Sequence, residues 1–122
     1  MSRKSSDDKS VADNSIALVR SLAALIDQKK GEDIHVFDLR GLSPITDFFV
    51  IATGLSEVHT KTLANHIIET EKPQHVEGLE AASWVLLDFF DVIVHIFSKE
   101  AREFYGLERL WGDAPKLGVS DD

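Results

Sequence analysis

Between Trp84 and Phe97 the chain reads WVLLDFFDVIVHIF, two apolar runs rich in β-formers on either side of an aromatic pair bracketed by Asp88 and Asp91. Aspartates around so short an interruption favour a turn, because their carboxylates hydrogen-bond nearby backbone, so the stretch reads as a β-hairpin turning at residues 88–91. Neither arm alternates cleanly between polar and apolar. Set among the other strands and helices of the chain, the hairpin belongs to a mixed sheet covered by helices.

The rest of the chain supplies that cover. Ile16, Val19, Ala23 and Ile26, with Leu18, Leu22 and Leu25 beside them, recur every three or four residues and place a first helix over about residues 11–30, with Lys29, Lys30 and Gly31 ending it. Two more buried strands follow, IHVFDL from Ile34 to Leu39 and FFVIA from Phe48 to Ala52. Ser56 caps a second helix running to about Glu71, with an apolar stripe of Val58, Leu63, Ala64, Ile67 and Ile68, and Pro73 stops it. Residues 74–76 form a short edge strand. Ser98 caps a helix over 99–105, Gly106 ends it, and 107–111 add one more turn. The predicted fold class is α/β, a mixed sheet of about five strands flanked by helices.

At 122 residues this is one domain, able to bury roughly two-thirds of its unfolded surface. The expected organisation is a flexible polar tail at 1–10, the domain at 11–113, and a flexible polar tail at 114–122. The first residues lack the apolar core of a secretory signal, and no apolar run approaches membrane-spanning length, so a soluble cytoplasmic protein is expected. The absence of cysteine excludes disulfides, Cys-containing zinc sites and thiol catalysis.

Thirteen Lys and Arg oppose 21 Asp and Glu, a formal net charge of −8. That field repels phosphate backbones, and direct nucleic-acid binding is not expected. Residues 1–76 carry 11 acids and nine bases, whereas 77–122 carry ten acids and four bases. Most of the excess therefore lies in the last third, where it favours a basic protein partner.

Motifs for catalysis are weak. The Thr53-Gly54-Leu55-Ser56 loop joins a strand to a helix, as phosphate-binding loops do, but it has a single glycine and no Gly-Lys-Ser/Thr ending, and Glu57 puts a negative charge where an anion would sit. A nucleotidyl transferase would need an Asp-x-Asp pair to hold its metals, and the sequence has none. His59 and His66 lie seven apart on the second helix without further metal ligands in view. His95 faces away from Val94 and Ile96, onto either an exposed sheet face or a satisfied core position. Trp84, Phe89, Phe90, Arg102, Tyr105, Arg109 and Trp111 gather in the last third; Trp, Tyr and Arg dominate interface hot spots, and the core is the competing place for Trp84, Phe104 and Trp111.

DIHVFDLRGLSPITDFFVIATGLSEVH, then Glu77-Gly78, then WVLLDFFDVIVHIFSKEAREFYGLERLW together resemble the ribosomal silencing factor S family, also called Iojap-like, over about residues 16–113. The resemblance implies a small α/β fold similar to nucleotidyl transferases but without their catalytic carboxylates, and no enzymatic activity, cofactor or metal. It implies binding to the large ribosomal subunit through ribosomal protein L-fourteen, on the face that meets the small subunit, so that subunit joining is blocked and translation falls, notably under nutrient limitation. It would make Trp84 the anchor of the contact, give Asp88 and Asp91 as acceptors for Lys or Arg, and have His95, Arg102, Tyr105 and Trp111 complete or support the surface. The rival is a nucleotide-binding or nucleotidyl-transferase-like enzyme using the Gly54–Ser56 loop. A homodimer through the sheet edge or the Phe89–Phe90 tip is a third outcome. The family usually has glycine where this chain has Phe90, so the hairpin turn is expected to be reshaped; the shortened segment before Trp84 should trim the edge strand.

Overall fold

The computed structural model describes residues 5–118, with side chains from residue 14 onward. In chain order the elements are α1 (Ser5–Gln28), β1 (Glu32–Asp38), β2 (Phe48–Gly54), α2 (Glu57–Glu71), β3 (His75–Glu77), β4 (Trp84–Asp88), β5 (Val92–Ser98), α3 (Lys99–Tyr105), α4 (Leu107–Leu110) and β6 (Lys116–Leu117). They build one six-stranded sheet in the order β3-β4-β5-β2-β1-β6. β2 and β5 run parallel at its centre, and every other pairing is antiparallel.

The two faces of the sheet are covered unequally. Val36, Phe48, Val50, Ala52, Val85, Leu87, Val92, Val94 and Ile96 pack on one face against α1 and α2, through Val19, Leu22 and Ile26 of the first helix and Leu63, Ala64 and Ile67 of the second. On the opposite face Phe37, Leu39, Ile51 and Phe97 form a smaller cluster closed by Ala101 and Ala114, with Leu107 and Trp111 packed beside it. Short helices and a returning loop cover only part of that side.

Several local features follow from the residues. Ser56 caps α2 by accepting from the His59 N–H at 3.0 Å, and Ser98 caps α3 in the same way from Ala101 at 3.1 Å. Lys72 and Gly106, both left-handed, end α2 and α3. Val58 is 74% exposed and leaves the apolar stripe of α2, since the helix turns that position to solvent in its first turn.

The tails differ from expectation. α1 begins at Ser5, so residues 5–10 continue the helix, and only 1–4 of the predicted N-terminal tail lie outside the described residues. At the other end Ala114 is buried, the Asp38 N–H donates to the Pro115 carbonyl at 2.8 Å, and Lys116 and Leu117 pair with Phe37 and Val36 as the sixth strand. Residues 114–117 are therefore packed on or paired with the sheet rather than forming a tail; 119–122 lie outside the described residues.

The hairpin turn keeps its tight form despite Phe90, which sits at φ +84° and is 67% exposed. The Asp88 carboxylate accepts from the Phe90 N–H at 2.7 Å, and the Phe89 N–H donates to the Val92 carbonyl at 2.8 Å, so the bonds of the turn outweigh the strain of a side chain in the left-handed region. Phe89 packs on the helix-covered core, which leaves a single aromatic at the tip instead of a pair. Phe90→Gly should raise stability by about 0.5–1 kcal/mol, the relief of left-handed strain less the extra chain entropy of glycine. An unchanged or lower urea midpoint, at constant denaturant slope, would refute this.

Candidate functional site

The uncovered part of the second face lies over β3, β4 and the near side of β5. Register brings Trp84 beside Phe97, Leu86 beside His95 and Asp88 beside Ile93, while His75 and Glu77 of the edge strand stand next to Asp88 and Leu86. Trp84, Leu86 and Ile93 are all half-buried. The Trp84 ring lies against Phe97 at 4.9 Å between centroids and against Tyr105 of α3 at 4.6 Å. Phe104 meets Tyr105 edge-on at 5.1 Å and is 80% exposed. The result is an aromatic ladder rising from the core through Trp84 and Tyr105 to solvent, beside an aliphatic strip with carboxylates at its rim.

Beneath this face His95 is 4% exposed. The Trp84 indole N–H donates to its Nδ1 at 3.0 Å, which leaves the proton of the neutral ring on Nε2, an atom with no partner among the described residues. Phe49 meets the imidazole edge-on at 4.5 Å. Burial alone pushes the His95 pKa down to about 4, so at neutral pH the ring is uncharged and able to accept. Tyr105 and Trp84 therefore reach the surface, and His95 supports them from below.

The other sequence-derived candidates sit elsewhere. Arg102 is bound inside the chain: its guanidinium forms a bidentate pair with Glu108 at 2.9 and 3.0 Å and donates to Thr53 Oγ1 at 2.7 Å and the Asp33 carbonyl at 2.8 Å. That pairing, reinforced by His35 at 3.1 Å, holds the Glu108 pKa down at about 2. Arg102 thus ties α3 and α4 to the ends of β1 and β2. Trp111 is half-buried and meets Phe49 edge-on at 6.2 Å, clamping the returning loop. Asp88 shares the Trp84 face but spends one oxygen on the turn. Asp91 lies at the far end of the hairpin, facing Ser15 of α1 at 3.4 Å, so the structure does not bring it to Trp84. Sequence reasoning missed Leu86 and Phe104. The spacing of Trp84, Leu86 and Asp88 at every second position was the signal for the first, and no periodicity in so short a helix marked the second.

The groove between the Gly54–Glu57 loop, residues 81–83 and the start of α3 is where the rival reading would put a nucleotide. Its residues are otherwise engaged. A Cβ on Gly54 would fall 2.1 Å from Thr60 Oγ1, so this glycine is needed for close packing of α2, and Ser56 is occupied as its cap. Glu57 and Glu100 outnumber Lys99 in the lining, so the groove carries net negative charge. His59 and His66 bond to the Lys29 carbonyl and Gln28 at 2.8 and 2.9 Å. Among the described residues no group of three or more His, Asp or Glu is placed to hold a metal, and no helix is long and apolar enough to cross a membrane.

Comparison with known proteins concerns the chain as a whole. The family model described as "Ribosomal silencing factor during starvation" matches residues 12–122. The ribosomal silencing factor RsfS of Halalkalibacterium halodurans is 42% identical over 97 residues, 75% of this chain and 83% of that protein. The RsfS of Bacillus subtilis is 38% identical over 107 residues, 84% of this chain and 91% of that protein. A more distant relative, the mouse protein named for mitochondrial assembly of the ribosomal large subunit, is 31% identical over 98 residues, 74% of this chain and 43% of its own length. Among solved structures, a Bacillus halodurans protein superposes with a TM-score of 0.73 at 33% identity, covering 84% of this chain and 98% of that one.

Proposed function

Because this chain belongs to the ribosomal silencing factor family, we propose that it is a non-enzymatic translation repressor that docks on the large ribosomal subunit through ribosomal protein L-fourteen and sterically prevents the small subunit from joining. It works where ribosomes do, in the cytoplasm, and matters most when nutrients are limiting. The observation that supports this reading is the aromatic ladder of Trp84 and Tyr105 beside half-buried Leu86, on the side of the sheet away from α1 and α2. Asp88 and Glu77 on the same face, and the acidic excess of residues 77–122, suit a basic ribosomal protein, since carboxylates at the rim steer and orient while buried aromatics hold. Arg102 and Trp111 contribute by holding α3, α4 and the returning loop in place. A contact of roughly 800 Å² per partner is within reach of a domain this size.

Silencing then needs no chemistry, only occupancy of a shared surface. Trp84→Ala should weaken binding to isolated large subunits about 30-fold, the loss typical of a central interface tryptophan, with an unchanged circular dichroism spectrum. The parent protein should also slow subunit joining followed by light scattering, and the variant should not. Parent-like co-sedimentation of Trp84→Ala would overturn the assignment of this face.

A further inference from the structure

The neighbours of His95 in the sheet are Leu86, Val94, Ile96 and Ile51, all apolar. A leucine or phenylalanine would pack there without leaving a polar atom unpaired. Histidine leaves the buried Nε2–H without a partner among the described residues, and a buried unpaired donor opposes folding. One interaction comes in return, the 3.0 Å bond from the Trp84 indole. That bond adds little to the core, because Trp84 is half-buried and its N–H could otherwise reach water. What it does is fix the ring against Phe97 and Tyr105 in one orientation.

We infer that His95 is a positioning residue for docking: a neutral imidazole that locks the Trp84 indole in its binding orientation before the partner arrives. This rests on the proposed docking face and adds what the face requires of its base. A long aromatic side chain left free must be immobilised on binding, and that loss of rotamer freedom weakens association; one already fixed does not incur it. The lock also determines what the partner meets. With its N–H spent inside the chain, the indole offers only ring face and edge, which suits an aliphatic group or a guanidinium lying on the ring and not a hydrogen-bond acceptor.

Three single variants of the full chain separate the possibilities. In His95→Leu the volume is kept and the acceptor is lost; in His95→Asn the Oδ1 stands close to where Nδ1 was. Trp84→Ala tests the face itself. Binding to isolated large subunits, melting temperature, and solvent-exchange protection of the Trp84 indole N–H by NMR are measured for each. His95→Leu should melt at or above the parent temperature, lose the indole protection, and bind about three- to tenfold more weakly. His95→Asn should keep the protection and bind within about twofold of the parent. The inference is overturned if His95→Leu binds as tightly as the parent with its indole unprotected. It is equally overturned if that variant melts well below the parent and Asn fails to restore binding, since the histidine would then be structural. Parent-like binding by Trp84→Ala would instead remove the docking face, whatever the His95 variants do.

Discussion

Gly78→Ala is expected to cost about 3 kcal/mol or more of folding stability, read as a fall in the urea midpoint. Two penalties combine. Gly78 sits at φ +79°, where an L side chain is strained by about 1–2 kcal/mol. A Cβ there would also fall 2.1 Å from the Trp84 carbonyl oxygen, and forcing atoms into a packed site adds about 1–3 kcal/mol. The obstacle is backbone, so no rotamer change relieves it. Gly41 isolates the first penalty, because at φ +81° it has nothing within 4 Å of an added Cβ; Gly41→Ala should lose only about 1 kcal/mol. Equal losses at the two positions would show that the contact with Trp84 is not tight. The glycine of the Glu77-Gly78 pair lets the loop from β3 close on Trp84, the first residue of β4 and the residue proposed to anchor docking.

Acid should weaken the fold well before the carboxylates titrate. His95 has its pKa lowered from 6.5 to about 4 by burial, so as pH falls the unfolded chain takes up this proton first. The stability associated with the neutral ring is complete above about pH 6.5 and is lost progressively down to about pH 4, at about 1.4 kcal/mol per pH unit, for a total of roughly 3 kcal/mol. Protonation would also fill Nδ1, so the Trp84 bond goes with it. Glu108 acts in the next window: its pKa, held at about 2 by Arg102, supplies stability above the ordinary carboxylate range that disappears as pH falls from about 4.5 toward 2. Urea titrations of the parent and His95→Leu at pH 7, 5.5 and 4 test this. The variant should lose most of the slope between pH 6.5 and 4, and parallel curves would place the acid sensitivity elsewhere.

The parts of the fold readable in the sequence were those written in apolar periodicity and caps. β2, β5 and the hairpin were visible because runs such as FFVIA and DVIVHIF have few alternatives, and Ser56 and Ser98 marked their helices by chemistry that acts within one turn. β6 was illegible because two residues, Lys116 and Leu117, are too few to carry a strand pattern. The early start of α1 was hidden by polar residues that are compatible with a helix but do not demand one. At the candidate site, Trp84 and Tyr105 could be named from residue type. That Arg102 is spent on Glu108, and that His95 lies under the indole, depended on register and on a side chain crossing from α3 to α4, which spacing does not encode.

The parallel pairing of β2 with β5 sets an order on biosynthesis. β5 must slot between β2 and β4, both made earlier, so β2 waits without its main neighbour while α2, β3 and β4 are translated, and only the arrival of Val92–Ser98 joins the halves. Trp84 waits longer still, since its flanking rings are Phe97 and Tyr105. The aromatic face proposed for docking therefore cannot be complete in a growing polypeptide before Tyr105 has been made.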